Sequence, residues 1–477
     1  MKQPNILLIL CDQFRWDCLS VMGHPTVETP NLDTLANEGA LFTNAYTPAP
    51  SCVPARASLF TGMSPNQTGF IGYQDGTEWN FPNMLPEVLR NSGYQTHCVG
   101  KTHFFPQRKH CGFEGLESYE AWQVFGHHYV NDYHEWLADK TGKVMDELHH
   151  GLDDNSWNAR PSTLPEELHN NTWVVTKGLE FLKKRDRTRP YFLNLSFHRP
   201  HPPIDPPQFY WDEYMKKECE QVPVGDWAAK HDKPVRGLDT WEGHLDEGKL
   251  RRTRLVYYAQ IAHIDTQIGR LIRSLKYQGE MPDMIIFTSD HGEMLGDHHL
   301  FRKTYAYEGS AAVPCIIWTK DKAYRSKEET PIVLQDLYST ILGYANIPQP
   351  DYVDGCNLMP LLNHESQADV GKNIFDRKWI HGEHARCYSP DEAMQFMTDG
   401  KTKYIWFTHT GEEQLFDLEK DPYECHECSK DGAYKEVILE WRKRMIDYLA
   451  TREEDHLSDG KELITGLLPV KRKGIHQ

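Results

Sequence analysis

Four short strand-like segments, each followed at once by polar residues, constrain the fold of this chain more than any other feature. They cover residues 6–10, 94–100, 191–197 and 284–288. The first is an unbroken apolar run, which is typical of a parallel strand covered by helices on both faces. Helical periodicity lies between them, most clearly over residues 170–184 and 250–277. This alternation predicts an α/β fold, a doubly wound sandwich.

The other predicted elements fill out this sandwich. Helices are expected at residues 29–39 and 84–92, and a strand at residues 41–45. In the long helix, the apolar side chains that recur at helical spacing should form the buried stripe. They are Tyr258, Ile261, Ile264, Ile268 and Leu271.

Near residue 370 the pattern changes, which indicates a second unit. Three short strands are expected at residues 393–397, 403–407 and 413–417, followed by a helix at 436–450. We therefore predict a catalytic α/β domain over residues 1–370 and a small α+β subdomain over residues 371–477. A polar tail, expected to be mobile, follows residue 453.

Two stretches with weak periodicity, residues 105–165 and 205–248, are predicted to be insertions. The first is rich in His, Trp, Tyr and Gly. Long loops that lack regular structure often carry function, so we expect this insertion to cross the active-site face and contact the substrate.

Composition limits the classes of partner. The net charge of −17 argues against a general nucleic-acid or membrane-surface binder, and an anionic substrate would need a local basic pocket. Eleven scattered cysteines without a disulfide-like pattern indicate a reducing compartment. The apolar run near the N-terminus is too short for a signal peptide. We expect a cytoplasmic protein, or a periplasmic one if a leader has been removed.

The stretch from Pro50 to Gly62 contains the candidate nucleophile. Residues 55–60 are good helix formers, Pro54 suits the first turn, and Gly62 suits the end of the helix. Cys52 would then lie at the N-terminus of the helix, facing its free amides, with Arg56 one turn away. Such a position suits an anion and a nucleophile, although a lone cysteine in such a turn is more often structural.

Polar residues at the ends of strands suggest a metal site. Asp12 and the pair Asp290-His291 each follow a predicted strand, and open α/β sheets bind ligands at the carboxyl ends of their strands. Two carboxylates, the Gln13 amide and an imidazole make a site suited to a hard divalent cation. The alternative for each aspartate is a turn or a helix cap.

The sequence Cys52-Val53-Pro54-Ala55-Arg56, followed by Ala-Ser-Leu-Phe-Thr-Gly, resembles the signature of the type I sulfatases. These enzymes belong to the alkaline-phosphatase-like superfamily. The resemblance implies a sandwich with a large mixed, mostly parallel sheet between helices. It also implies that a maturase, a separate enzyme, oxidises Cys52 to formylglycine (3-oxoalanine), the catalytic nucleophile.

The same resemblance implies a calcium site. Its ligands would be Asp12, Gln13, Cys52 as formylglycine, Asp290 and His291. Many family members have a second aspartate where this chain has Gln13, so the site has one negative charge fewer. Manganese and magnesium therefore remain alternatives to calcium.

The resemblance also assigns catalytic roles to charged residues. Lys101 and His103 match a Gly-Lys-x-His motif that contacts the sulfate or the nucleophile, and Lys303 matches a later sulfate-binding lysine. His201 matches the histidine that faces the leaving-group oxygen, and Arg56 would hold the site of the nucleophile. We expect His201 to protonate the leaving oxygen and His103 to act as the base in the second step.

Several residues stay ambiguous from sequence. They are His198, His298, His299 and Arg302, which lie near strand ends or close to the matched motifs. The sequence Cys425-His426-Glu427-Cys428 invites a zinc interpretation, which we reject because no second Cys/His pair lies nearby. Its surroundings resemble a structural turn that is common in the C-terminal subdomains of sulfatases.

The sequence thus predicts a sulfuric ester hydrolase whose substrate is a small sulfated molecule. A sulfated sugar or glycan fragment is favoured over an aryl or choline ester, because the first insertion is rich in His, Trp and Tyr. Phosphonate monoester and phosphodiester hydrolases share similar motifs and are the alternative. A non-catalytic binding protein on the same fold would be expected to lack the nucleophile or a metal ligand, and this chain retains both.

Overall fold

The computed structural model describes residues 3–120, 131–143, 150–365, 372–385, 387–452 and 456–467. The strands are β1 (Ile6–Asp12), β2 (Ala40–Phe42), β3 (Ala45–Tyr46), β4 (Gln95–Gly100), β5 (Gly115–Ser118), β6 (Tyr191–Pro200), β7 (Met284–Ser289), β8 (Cys315–Thr319), β9 (Ser326–Glu328), β10 (Ile332–Val333), β11 (Ile380–His384), β12 (Met394–Thr398), β13 (Thr402–Phe407) and β14 (Glu413–Asp417). The α-helices are α1 (Pro30–Glu38), α2 (Cys52–Thr61), α3 (Pro65–Thr68), α4 (Leu85–Asn91), α5 (Asp132–Thr141), α6 (Asn170–Lys184), α7 (Gln208–Tyr214), α8 (Glu247–Gln278), α9 (Glu308–Ala311), α10 (Gln335–Tyr344), α11 (Met359–Leu362) and α12 (Lys435–Leu449).

Eight strands form the central sheet, in the order β5-β4-β6-β1-β7-β8-β2-β9. The first five are parallel, β8 runs antiparallel to both of its neighbours, and β9 is parallel to β2. At the centre, Leu8 of β1 lies between Asn194 of β6 and Ile286 of β7. The predicted mixed, mostly parallel sheet is confirmed.

Helices cover both faces of this sheet, which explains the unbroken apolar run of β1. Leu7 and Ile9 pack into a core that includes α1, α6 and α8, whereas Leu8 and Leu10 pack into a second core with α2, α4 and α10. Alternate residues of a strand face opposite sides, so a strand covered on both faces must be apolar throughout. The predicted stripe of α8 is fully buried in the first of these cores.

The second, smaller sheet consists of β11 to β14 and is antiparallel throughout. One face packs on α12, where Trp406 and Leu415 pack with Trp441. The other face packs against the larger unit, where Phe416 packs with Tyr307. The predicted boundary near residue 370 falls within residues 366–371, and part of the predicted tail falls within 453–455 and 468–477, all outside the described residues.

Three predictions from sequence were incomplete. The strand expected at residues 41–45 is two strands: β2 joins the central sheet, and β3 pairs with β10 in a separate ladder. The first insertion contains β5, the edge strand of the central sheet, and α5. The second contains α7, which packs on α8 through Tyr210 and Tyr214. These elements are too short for their periodicity to stand out from a loop.

Helix α8 is the longest helix, with 32 residues, and it is amphipathic rather than apolar all round. Within the described part of the chain, no helix combines the length and the apolar character that crossing a bilayer would require.

A buried ionic network links the residues after β1 to α8. The Arg15 guanidinium contacts Asp17 at 2.8 Å and Asp297 at 2.8 Å. Arg254 of α8 contacts the same Asp297 at 2.8 Å and Glu220 at 2.6 Å. Each buried charge therefore has a partner of opposite sign, as burial requires.

This network lowers the pKa of two carboxyl groups. Burial opposes the charged form of Asp17, but Arg15 outweighs it and the pKa falls to about 2. Burial likewise opposes ionisation of Glu220, and Arg254 lowers its pKa to about 2. In the unfolded chain both groups titrate near pH 4. Their stabilisation is therefore present above about pH 4 and is lost as the pH falls from about 4 towards about 2.

We expect Asp17→Asn to lower the free energy of unfolding by about 2–3 kcal/mol at neutral pH, because a pKa shift of roughly two units corresponds to that energy. Urea unfolding at several pH values measures the effect. The difference from the wild type should shrink as the pH falls towards about 3. Asp232→Asn, which changes an exposed carboxylate, is the matched control. A difference that stays constant with pH would contradict the proposed role of Arg15.

Candidate active site

Polar residues from four adjacent strands converge at one edge of the central sheet. Asp12 ends β1, Lys101 follows β4, His201 follows β6, and Asp290 follows β7. These strands are neighbours in the order β4-β6-β1-β7 and all run in the same direction. Their carboxyl ends therefore meet, as expected for the ligand-binding edge of an open α/β sheet.

Helix α2 places Cys52 at the same point. Cys52 is the first residue of the helix and Pro54 lies in its first turn, as predicted, and the extended Ser51 precedes them. The Ser51 hydroxyl lies 2.8 Å from His384 Nε2, and His384 Nδ1 faces the Ala385 carbonyl. The nitrogen that faces a carbonyl carries the proton, so Ser51 donates to Nε2. The hydroxyl does not cap the helix, and the first amides of α2 remain available for an anion.

Four of the predicted metal ligands form a compact group. Asp12, Cys52, Asp290 and His291 are all buried and present one ligand atom each, all within 4.8 Å of one another. His291 Nδ1 donates to the Gly292 carbonyl at 2.8 Å, so the lone pair of Nε2 points towards the group. Nε2 lies 3.6 Å from Asp12 Oδ1 and 3.7 Å from Asp290 Oδ1. Three acceptor atoms that face one another in this way fit a cation.

Gln13 reaches the site, but its side chain contacts other groups. Its amide nitrogen donates to the Glu293 carboxylate, and its amide oxygen accepts a hydrogen bond from Lys303 Nζ at 2.8 Å. The backbone of Gln13 is left-handed, with φ at 66°, and its N–H donates to Asp290 Oδ1 at 3.1 Å. The oxygen of Gln13 thus faces Lys303, and its role as a metal ligand stays a prediction.

Arg56 holds the two carboxylates in place. It is fully buried, and its Nε donates to Asp290 Oδ2 at 2.7 Å, while its Nη2 lies 3.6 Å from Asp12 Oδ2. Its Nη1 donates to Ser196 Oγ at 2.9 Å and to the Lys101 carbonyl at 2.8 Å. Burial opposes its charge, but the two aspartates raise its pKa. Arg56 therefore stays charged and joins β1, β4, β6 and β7.

The Cys52 thiol is protonated at neutral pH. Burial and Asp12 raise its pKa to about 11, despite the opposing charges of Lys101 and Lys303. Lys101 Nζ lies 3.8 Å from the sulfur and forms an ion pair with Asp12. The thiolate is the nucleophilic form of cysteine. The unmodified side chain is therefore a poor nucleophile in this site.

His103 is held in a left-handed conformation, with φ at 62°. The Glu120 carboxylate fixes this turn by accepting hydrogen bonds from the backbone N–H groups of Thr102 at 2.6 Å and of His103 at 2.7 Å. Burial and the charge of Lys101 lower the pKa of His103 well below its usual value. The imidazole is therefore neutral at pH 7, with a lone pair on one ring nitrogen.

His201 and Lys303 form a contact pair. His201 Nδ1 lies 2.8 Å from the Pro202 carbonyl, and His201 Nε2 lies 2.8 Å from Lys303 Nζ. Because Nδ1 donates to the carbonyl, Nε2 accepts from the lysine. Burial and Lys303 lower the pKa of His201 well below its usual value. In this arrangement the proton between the two side chains belongs to Lys303.

A cavity of about 190 Å³ opens onto part of this group. Five predicted catalytic residues reach it: Cys52, Lys101, His103, His201 and Lys303. Apart from the ambiguous Arg302, the other lining residues were not singled out from sequence, although two of them belong to the first insertion; they are Ser51, Tyr73, Asp154, Asn155, Thr304, Cys387 and Tyr388. A larger cavity of about 590 Å³ lies between Gln67 and Arg452 but contains none of the predicted site residues.

The other ambiguous histidines lie outside this cavity. The His198 ring packs 4.9 Å from that of His201, so it lies behind the site. His298 packs on Trp227 with ring centres 4.7 Å apart and accepts a hydrogen bond from the Gly225 N–H at 3.0 Å. His299 lies 3.9 Å from Asp232 on the second insertion. Proximity to a motif in sequence was therefore a poor guide for these histidines.

Comparison with known proteins identifies the family. The sulfatase family model matches residues 4–347, and the model for the C-terminal region of N-sulphoglucosamine sulphohydrolase matches residues 296–451. An arylsulfatase from Clostridium perfringens is 40% identical, over 97% of this chain and 98% of that protein. The chain belongs to the sulfatase family. It is a sulfuric ester hydrolase, which confirms the enzyme class predicted from sequence.

Solved structures place this sulfatase in the alkaline-phosphatase-like superfamily. The phosphonate monoester hydrolase of Agrobacterium radiobacter has a TM-score of 0.79 at 25% identity, covering 99% of this chain and 100% of that one. The structure of the protein BT4656, in complex with its substrate D-glucosamine-2-N,6-O-disulfate, has a TM-score of 0.76 at 21% identity. The match covers 97% of this chain and 100% of that one. The second of these likenesses supports the fold alone.

Proposed function

We propose that this sulfatase hydrolyses a sulfate ester of a sugar or glycan fragment and that formylglycine, made from Cys52, is its nucleophile. The observation that carries the proposal is the position of Cys52. It lies at the N-terminus of α2, in the Cys-x-Pro-x-Arg motif, and lines a cavity together with lysines and histidines. Burial raises the pKa of the free thiol to about 11, which disfavours the thiolate and agrees with a modified side chain as the nucleophile.

The modification and the metal would supply what the chain itself lacks. Formylglycine, as its hydrate, would provide a hydroxyl nucleophile, and a divalent cation would lower the pKa of that hydroxyl. Asp12, Asp290, His291 and residue 52 would hold the cation, with Gln13 as a further candidate. Carboxylate oxygens favour calcium, with manganese or magnesium as alternatives.

The remaining residues would bind the sulfuryl group and move protons. Lys101, Lys303 and the first amides of α2 present positive charge to the sulfuryl oxygens, where charge develops in the transition state. Lys303 Nζ donates to His201 Nε2. The pair His201–Lys303 would therefore supply the proton for the leaving oxygen. The neutral His103 would accept a proton in the step that releases sulfate.

The proposed biological setting follows from these requirements. A maturase must act on Cys52, and the substrate class would place the enzyme in glycan degradation. A protein of the same fold has D-glucosamine-2-N,6-O-disulfate as its substrate, so a sulfated sugar is compatible with this fold. We also propose a cytoplasmic location, because eleven scattered cysteines without a disulfide-like pattern suit a reducing compartment; recovery of a tagged protein in another cell fraction would contradict it.

Hydrolysis of phosphonate monoesters remains the alternative activity, because the phosphonate monoester hydrolase from Agrobacterium radiobacter aligns with nearly the whole chain. We expect the protein co-expressed with a maturase to hydrolyse 4-nitrophenyl sulfate with a kcat/KM at least about 100-fold above that for a phenyl phosphonate ester, since transition-state charge and shape differ between the two. Parallel assays measure both constants. A preference for the phosphonate ester would contradict the proposal.

Removal of metal is expected to abolish activity and to destabilise the protein. Asp12 and Asp290 are buried near each other, and a bound cation would offset their repulsion. Dialysis against EDTA should lower the thermal midpoint, and calcium should restore both the midpoint and the turnover. A thermal midpoint and a kcat that are insensitive to EDTA would contradict the metal assignment.

A further inference from the structure

The lining of the active-site cavity divides into two groups of different chemistry. One group is cationic or imidazole and has a place in the proposed mechanism. The other group has no role in that mechanism; it includes Tyr73, Asp154, Asn155 and Tyr388. Asp154 and Asn155 come from the first insertion, which the sequence predicted to contact the substrate. The second group is therefore positioned to contact the part of the substrate that does not react.

Asp154 differs from the other carboxylates near the site. Asp12 and Asp290 contact Arg56, and Asp239 pairs with Arg302. Among the residues that the structure describes, no lysine, arginine or histidine forms an ion pair with Asp154. Burial and the neighbouring Asp153 carboxyl raise the pKa of Asp154, against the opposing charge of Lys303. A half-buried carboxylate in this setting gains free energy when a ligand donates hydrogen bonds to it.

The wall beside Asp154 is preformed. The Asn155 N–H donates to Asp153 Oδ1 at 2.9 Å, and the Asn155 carbonyl accepts from Arg302 Nη2 at 3.3 Å. The Arg302 guanidinium lies 5.6 Å from the centre of the Tyr388 ring. Tyr388 in turn stacks on Trp241, with ring centres 5.5 Å apart and an interplanar angle of 7°. A wall fixed in this way loses little entropy when a ligand binds.

We propose that Asp154, Asn155 and the flanking tyrosines bind the hydroxyl groups of the sugar that carries the sulfate, and that Asp154 determines specificity for such substrates. This inference rests on the proposed sulfatase function. Sugar hydroxyls both donate and accept hydrogen bonds: the carboxylate accepts, the Asn155 amide does both, and tyrosine rings pack against the apolar faces of a pyranose.

The chemistry of this subsite selects among sulfated molecules. An aryl ester has no hydroxyl group to donate to Asp154. A second sulfate or a carboxylate placed directly against Asp154 would be repelled by it, because Arg302 forms its ion pair with Asp239. The subsite therefore favours a sugar with one sulfate and free neighbouring hydroxyls over an aryl sulfate or a polyanionic fragment.

The test compares substrates in the matured protein. We would measure kcat/KM for 4-nitrophenyl sulfate, choline sulfate and a panel of monosulfated hexoses and N-acetylhexosamines, in the wild type and in Asp154→Ala, Asp154→Asn and the control Asp232→Asn. The wild type should prefer at least one monosulfated sugar to the aryl ester. Asp154→Ala should lower the ratio of the two kcat/KM values by about 10- to 100-fold, mainly through KM, because a pocket built for hydroxyl groups loses its acceptor.

The three variants should differ in how much of the substrate preference they lose. Asp154→Asn retains an acceptor oxygen of the same shape and should lose less than Asp154→Ala, whereas the control should keep the wild-type ratio. Equal losses on both substrates, or an unchanged ratio, would overturn the subsite. So would a wild-type enzyme that cleaves the aryl ester but no sugar in the panel, or that prefers choline sulfate. A matured wild type that cleaves no sulfate ester would instead overturn the proposed function and this inference with it.

Discussion

The Cys52→Ala variant is expected to lose sulfate ester hydrolysis by on the order of 10⁴-fold or more, because removal of a catalytic nucleophile leaves only binding and electrostatic assistance. Cys52 is buried at the start of α2, and alanine suits that helix. The fold should therefore survive, and the loss should fall on kcat. Steady-state assays on the matured protein measure it.

Cys315→Ala provides the matched control for this variant. Cys315 is equally buried, but it lies in β8, away from the cavity. Its replacement should leave kcat within about threefold of the wild type and cost roughly 1 kcal/mol of stability through lost packing. Hydrolysis retained in Cys52→Ala at a rate comparable to this control would contradict the assignment of the nucleophile.

Arg56→Ala is expected to lower the free energy of unfolding by about 3–5 kcal/mol, because it leaves buried carboxylates without their cation. The arginine makes a 2.7 Å contact with Asp290 and also bonds Ser196 and the Lys101 carbonyl. Arg56→Lys should recover only part of the loss, since lysine restores the charge but not the forked contacts. Urea unfolding with and without calcium measures the free energy of unfolding of both variants.

Arg252→Ala on the exposed face of α8 serves as the control for Arg56. A surface substitution of this kind should change stability by no more than about 0.5 kcal/mol. If Arg56→Ala behaved like this control, the carboxylates would be held by other groups, and Arg56 would not be the residue that joins the four strands.

Much of the fold follows from sequence because burial on both faces leaves a simple signal. β1 is apolar up to Cys11 and β7 up to Phe287, and α8 shows its stripe clearly. Short edge elements give no such signal. β5 has four residues of mixed character, and α7 has seven residues inside a loop-like stretch. The pairing of β3 with β10 joins distant segments that local patterns cannot relate.

The site was predictable where residues follow strands or belong to the sulfatase motif. Asp12, Asp290 and His291 converge, as their strand-end positions indicated, and Cys52 of the motif joins them from the start of α2. Whether they bind calcium, and the catalytic role of each predicted residue, stay predictions for the experiments above.

The supporting residues of the site were missed. Glu120, which fixes the turn at His103, lies in a stretch without periodicity. His384, which contacts Ser51, lies on β11, a strand that the sequence did not reveal. Their importance comes from long-range contacts between buried polar groups, and nothing in the neighbouring sequence marks such contacts.

The most direct test of the account is the mass of the peptide that contains residue 52, taken from protein co-expressed with a formylglycine-generating maturase and assayed for sulfate ester hydrolysis. We predict a mass about 18 Da below that of the unmodified cysteine peptide, the change expected when the thiol is converted to an aldehyde. Across preparations, activity should rise in proportion to the fraction of the protein that carries the modification. An unmodified thiol in fully active protein would contradict the central claim.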